Sequence, residues 1–134
     1  MNNPENLRPS RSDQTVILIA EDDVMVANVA RIALENDGHF ILTASDGEEA
    51  LSIARRYTGA IDILLTDIKM PGMDGLKLRE YMLADRPEIK VLLMSGETEV
   101  VGNLPVLRKP FLPRDLRARI RQTISLGTPN LDLQ

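Results

Sequence analysis

The sequence predicts an α/β fold: a doubly wound, five-stranded parallel sheet with helices on both faces. Short aliphatic runs alternate with helical patterns along the chain. Those runs are apolar at consecutive positions rather than at every second one, as befits strands buried on both faces. With 134 residues and 43% hydrophobic content, the chain suffices for one compact core. Two Phe, two Tyr and no Trp make that core aliphatic.

Residues 1–14 mix Pro, Asn, Ser and charges without apolar periodicity and read as a flexible tail. A single domain over 15–125 and a second flexible tail over 126–134 complete the chain. Thr15 to Ala20 is the first strand. The next segment places Met25, Val29, Ile32 and Ala33 on one helical face and stops at Gly38, a good C-terminal breaker. Phe40 to Ala44 is the second strand, after which Ser45 and Glu48 have the spacing of a capping box for a helix reaching about Tyr57. Ile61 to Thr66 is the third strand. Asp74 caps a helix that runs to about Ala84, before Pro87. Ile89 to Met94 and Pro105 to Leu107 are the last two strands. Pro113 suits the first turn of a final helix in which Leu116, Ile120 and Ile124 recur every four residues. The link from Gly96 to Leu104 is only nine residues. A parallel crossover that includes a helix normally needs roughly a dozen, so the helix between strands four and five is expected to be vestigial or replaced by a loop.

Composition narrows the partners. The formal charge of −4 and the scarcity of aromatic residues argue against nucleic acid. No cysteine and a lone His39 exclude a disulfide scaffold, a thiolate metal site and a His-rich one. No apolar run approaches the ~20 residues of a membrane span. The opening MNNPENLRPSRSDQ is polar rather than leader-like, so a cytoplasmic protein with no membrane partner is expected.

In doubly wound sheets, ligands bind beyond the carboxyl ends of the strands. Polar residues collect there in this chain: Glu21, Asp22 and Asp23 after strand one, Asp67 after strand three, Ser95 after strand four and Lys109 after strand five. Clustered carboxylates repel one another, and a hard cation such as Mg²⁺ relieves that repulsion while holding phosphate oxygens. Asp67 would then serve as a nucleophile forming an acyl phosphate, Lys109 as a point charge and Ser95 as a hydrogen-bond donor to phosphoryl oxygens. Taken singly these residues are ambiguous. Acids at a strand end are as often a solvated loop or a helix cap, and Asp23 has either reading. Asp67 before a Pro-Gly loop also suits a turn. Their joint placement at successive strand ends is what is specific.

ILIAEDD, LLTDIKMPGMDG, LLMSGE and RKPF, spread in that order over residues 17–111, resemble the four signature stretches of the response-regulator receiver family of two-component signalling. The resemblance implies a flavodoxin-like sheet of strand order 2-1-3-4-5. It implies that Asp67 is the phosphoacceptor, that Glu21, Asp22, Asp67 and the backbone carbonyl of Lys69 hold Mg²⁺, and that Ser95 and Lys109 are the switch hydroxyl and the lysine of the site. Its implied partners are a sensor histidine kinase or histidine phosphotransfer protein and a downstream protein target. The chain reads as a stand-alone receiver, a monomer or weak dimer, and a signalling phosphoacceptor rather than an enzyme. A pseudo-receiver that only binds a partner is the alternative. An Asp-nucleophile phosphatase is disfavoured because its second acid would fall at Lys69.

Two departures from the family bear on output. The aromatic switch position in strand five is Val106, and the link after Ser95 is short. Lys69 and Glu97, each two residues beyond a site residue, are placed to pair across its mouth. The basic stretch Arg108, Lys109, Arg114, Arg117, Arg119 and Arg121 reads as a solvated face, with an acidic docking partner as the alternative.

Overall fold

The computed structural model describes residues 14–97 and 101–126, so the predicted tails fall, but for Gln14 and Leu126, outside the described residues. Its elements in chain order are β1 (Val16–Ala20), α1 (Val24–Asn36), β2 (Phe40–Ala44), α2 (Gly47–Arg56), β3 (Ile63–Asp67), α3 (Gly75–Asp85), β4 (Lys90–Ser95), β5 (Val106–Arg108) and α4 (Pro113–Ser125). All five strands are parallel, in the expected order β2-β1-β3-β4-β5. α2 and α3 pack on one face of the sheet through Leu51, Ile53, Leu78 and Met82. On the other face, α1 and α4 pack through Ala30, Ala33, Leu34, Leu116 and Ile120. Ile17, Leu18, Ile19, Leu64 and Leu65 lie fully buried between these layers, which is why the strands read as unbroken apolar runs.

The last three strands lie one or two residues later than the sequence predicts. Asp62, just before β3, holds the head of β1: its side chain accepts from the Val16 amide at 2.8 Å and its own amide donates to the Val16 carbonyl at 2.9 Å. The shift makes Asp67 and Ser95 the final residues of their strands, with Asp67 in register with Met94.

Two helix starts also correct the expectations. The capping pair of α2 is Asp46 and Glu49, not Ser45 and Glu48. Asp46 accepts from the Glu49 amide at 2.8 Å, and Glu49 accepts from the amide and hydroxyl of Ser45 at 2.7 and 2.9 Å. Gly47 then opens the helix where a Cβ would come within 3.0 Å of Met73, a place only a small residue can fill. On α1 three of the four residues of the predicted stripe face outward, Met25, Val29 and Ile32 being 74%, 42% and 50% exposed, whereas the fourth, Ala33, is buried. The buried side is a stripe of small residues, Ala30 and Ala33 with Leu34, which lets the helix axis approach the sheet closely.

Asp74 caps α3 as expected, accepting from the Lys77 amide at 2.8 Å. Pro113 opens α4. Leu116 and Ile120 enter the core, whereas Ile124 remains at the surface. Arg121 on α4 binds Asp37 at the end of α1 through two hydrogen bonds, of 2.6 and 3.0 Å. Between Ser95 and Val106 the described residues form no helix, in keeping with the short link; residues 98–100 lie outside the description.

Candidate functional site

The carboxyl end of the sheet collects the polar residues the sequence singled out. Glu21 continues the line of β1, its amide donating to the Ala44 carbonyl at 3.1 Å. That turns its side chain inward, where it is almost wholly buried. One carboxylate oxygen of Glu21 accepts from the Asp23 amide at 3.0 Å and the other from Lys109 Nζ at 3.0 Å. Asp23 itself is the N-cap of α1, with Oδ1 accepting from the amides of Met25 and Val26 at 2.9 and 3.3 Å. The acid run is thus divided by role. Asp22 is exposed, yet one of its oxygens joins those of Glu21 and Asp67 in a group whose members all lie within 4.8 Å of one another.

Asp67, buried at the tip of β3, receives Lys109 Nζ at 3.2 Å from Oδ2. Its backbone is held from two sides. Thr66 Oγ1 donates to the Asp67 carbonyl at 2.9 Å, and α3 begins so close that a Cβ on Gly75 would sit 2.1 Å from the same oxygen. Ser95 lies buried at the tip of the neighbouring strand. Its hydroxyl accepts from the Glu97 amide at 3.0 Å and donates to the Glu97 carbonyl at 3.1 Å. Lys109 follows β5, its amide bound to the Ser95 carbonyl at 2.8 Å, and the Lys109–Pro110 peptide is cis. Lys69 and Glu97 do pair, Nζ to Oε1 at 2.9 Å, both largely exposed beside the buried acids.

Burial pushes both Glu21 and Asp67 above the ordinary carboxylate range, against the lowering pull of Lys109 and, for Glu21, of the Asp23 amide. For Lys109 burial acts downward, but the Glu21 hydrogen bond and the charges of Glu21 and Asp67 outweigh it, so its pKa is raised. The two buried acids and the exposed Asp22 therefore hold more negative charge than Lys109 alone balances. Added positive charge is what the site lacks.

A family model described as the response regulator receiver domain matches residues 17–121. The chain belongs to this receiver family. Sensor kinase CckA of Brucella abortus is 32% identical over 118 residues, which is 82% of this chain and 12% of that protein. The alkaline phosphatase synthesis transcriptional regulatory protein PhoP of Bacillus subtilis is 28% identical over 113 residues, 78% of this chain and 46% of that protein. The chain thus spans less than half the length of either relative. The crystal structure of the receiver domain from the hybrid histidine kinase CckA matches with a TM-score of 0.72 and 38% identity, covering 81% of this chain and 97% of that one.

Beyond its acid pocket, the receiver has features that periodicity did not reveal. Met25, Val26 and Val29 of α1 face Pro110 and Phe111 across an apolar cleft of about 470 Å³ that reaches Lys109 and Gly96. The stripe on α1 was legible as a stripe but not as an exposed one, because the alanines carrying the packing were too small to register as a hydrophobic face. The roles of Thr66 and Gly75 in holding the Asp67 backbone left no signal in residue type alone.

Proposed function

We propose that this receiver takes a phosphoryl group onto Asp67 from a phosphohistidine of a sensor kinase or phosphotransfer protein, in a Mg²⁺-dependent reaction, and signals through a downstream protein. The observation that carries this reading is the meeting of Glu21, Asp22 and Asp67 with Lys109 at one rim. The donor set fits the metal: three carboxylates are hard oxygen ligands, two of them buried with pKa values raised by that burial, and the Lys69 carbonyl is proposed as a further donor. Bound there, Mg²⁺ would supply charge neutralisation for the incoming phosphoryl oxygens.

The remaining work falls to the chain. An Asp67 carboxylate oxygen attacks phosphorus, a P–O bond forms, and the P–N bond to the donor imidazole breaks with its electron pair leaving on nitrogen. Lys109 holds a fixed positive charge beside the attacking group, and Ser95 turns its hydroxyl to the transferred phosphoryl group at the cost of its bonds to Glu97. Catalysis here rests on positioning and electrostatics, so the receiver is proposed as a signalling phosphoacceptor rather than a turnover enzyme. The exposed apolar stripe of α1 and the cleft at Phe111 border Lys109, where a helical donor would present its phosphohistidine. A cytoplasmic location is proposed with it.

The test is labelling with a small phosphodonor followed by mass spectrometry of the intact chain and its peptides. One phosphoryl group on the Asp67 peptide, dependent on Mg²⁺ and absent from Asp67→Asn, is expected. Equal labelling in chelator, or in the variant, would overturn the proposal.

A further inference from the structure

The one histidine of the chain stands at the end of the sheet opposite the acid pocket, in the turn between α1 and β2. Only 10% of the His39 side chain is exposed, and its Nε2 has no hydrogen-bond partner among the described residues. Backbone bonds pin the turn. The Gly38 and His39 amides donate to the Glu35 and Leu34 carbonyls at 3.0 and 3.1 Å, the Phe40 amide donates to the Thr15 carbonyl at 2.9 Å, and the side-chain amide of Gln14 donates to the Gly38 carbonyl at 3.2 Å. Nε2 faces Asp37 Oδ2 at 3.7 Å, too far for a hydrogen bond. That oxygen is already engaged, accepting from Arg121 Nε at 3.0 Å, while Oδ1 accepts from Arg121 Nη2 at 2.6 Å. The charges that act on the ring are thus Asp37, in its own turn, and Arg121, on α4, with Arg117 one turn earlier on α4 acting on Asp37. Glu35, the other acid at the end of α1, is paired with Arg31 at 3.0 Å, and Thr15 and Phe40 at the heads of β1 and β2 bring no charge.

Arg121 matters to α4 because little else holds the end of that helix. No described residue after Ile120 is buried, Ile124 and Leu126 being 37% and 54% exposed. Among the described residues, the side-chain hydrogen bonds that leave this stretch for another element are the two from Arg121 to Asp37, since those of Thr123 and Ser125 return to carbonyls of α4 itself. We propose that His39 is an acid-sensitive latch: when its ring takes up a proton it competes with Arg121 for Asp37 and repels the guanidinium, so that the last turn of α4 comes away from α1. A neutral ring leaves Asp37 to Arg121. An imidazolium so enclosed needs a partner, Asp37 is the acid within its reach, and two cations then contend for one carboxylate. Burial, helped by the charge of Arg121, holds His39 below the ordinary imidazole value against the pull of Asp37. The folded protein therefore binds this proton less readily than the unfolded chain. What the neutral ring contributes to stability is complete above the ordinary value of about 6.5 and is lost as the pH falls through the lowered one, so the latch opens in mild acid. The proposal is independent of the phosphoacceptor reading.

The experiment follows the full chain by NMR from neutral pH to about pH 5. Because His39 is the only histidine, its ring signals report its protonation directly. Backbone order parameters from Arg121 to Ser125 should fall from about 0.85 toward 0.6 or below with the midpoint of the ring titration, while those of Leu116 and Ile120 hold. His39→Gln should abolish this step at α4 and leave the titrations of Glu21 and Asp67 in place, with His39→Asn as the second variant should the first fail to fold. Arg121→Gln should raise the pKa of the ring, since it removes a cation, and leave the last turn of α4 loose at every pH; Asp37→Asn should lower it. An α4 that keeps its order while His39 titrates, or that loosens equally in His39→Gln, would overturn the proposal. So would a ring that titrates at or above the ordinary value with Arg121 still on Asp37, since the three residues would then form a stable ion-pair cluster and no latch.

Discussion

Replacing Lys109 by methionine removes one positive charge while keeping most of the apolar stem. Lys109 Nζ lies 3.0 Å from Glu21 and 3.2 Å from Asp67. At an effective dielectric constant of about 20, each contact is worth about 5 kcal/mol of gross attraction, most of it offset by the desolvation of the three groups. What remains after the change is a buried acid pair with no cation. The usual cost of breaking such a pair, taken at its lower end because Lys109 is not fully buried, is about 3 kcal/mol. At a typical urea slope, that lowers the unfolding midpoint by roughly 1–3 M at neutral pH. Saturating Mg²⁺ should restore most of the loss, since the same oxygens then have a cation again, and the variant should bind Mg²⁺ at least as tightly as the parent. Acid should narrow the gap as well. Glu21 and Asp67 have folded-state pKa values above their ordinary ones, so the folded state binds the extra protons and the penalty is absent in acid. It grows as the pH rises from the ordinary carboxylate value through the raised one, and is complete above that. Urea titrations at neutral and mildly acidic pH, with and without Mg²⁺, decide the matter. A midpoint that falls equally under all conditions would mean that Lys109 acts through packing, and the electrostatic account would be wrong.

Asp67→Asn should abolish labelling by phosphodonors and yet raise the unfolding free energy in the absence of metal, by an amount on the order of 1 kcal/mol, because it removes a buried charge; a lowered unfolding free energy would contradict the raised pKa. Lys69→Ala with Glu97→Ala should leave stability unchanged within error, the pair being exposed, but raise the rate of phosphate loss severalfold by opening the mouth to water, as followed by the decay of labelled protein. Gly75→Ala should cost about 3 kcal/mol, because its methyl would meet the Asp67 carbonyl oxygen, whereas Gly96→Ala, with open space around its Cβ position, should be tolerated; urea unfolding compares them.

The fold was legible because its strongest signals are local. Ile17 to Ala20 and Ile63 to Leu65 are apolar throughout since helices cover both of their faces, and that alone selects a buried parallel sheet. Strand ends were less legible, since hydropathy does not report that Asp62 spends its carboxylate on the Val16 amide before β3 begins. On α1 larger residues outweighed a smaller one: Met25, Val29 and Ile32 look more like a core than Ala30, yet of the expected face only Ala33 is buried, because close packing on the sheet selects the alanines. The site acids were visible by type and position, while their division of labour was not. Only the hydrogen bonds of Asp23 to α1 separate the cap from the pair facing Asp67.

Under the proposed phosphoacceptor reading, Val106 offers no aromatic reporter in β5, and the backbone of the link is proposed to carry the change away from Asp67. Ser95 is the first point of leverage. Its hydroxyl is bound to both backbone groups of Glu97, so turning it toward a phosphoryl group gives up two hydrogen bonds that shape the turn at Gly96 and Glu97. Glu97 is also tied to Lys69, which follows the acceptor by two residues, so the same turn is gripped from both sides of the site. At its far end the link enters β5 at Val106, whose carbonyl accepts from Arg119 on α4 at 3.2 Å. A displacement that begins at Ser95 can therefore reach α4 through the link and the Arg119 hydrogen bond, and no described residue of the link forms a helix that would absorb it. Such a segment should change protection on activation more than the packed elements around it do. Beryllofluoride with Mg²⁺ should alter amide exchange at Glu97 and from Val101 to Leu104 first, with α2 and the buried strands unchanged. If the largest changes fell instead on α1 or α2 while the link stayed as it was, transmission through the link would be the wrong account of how this receiver reports its state.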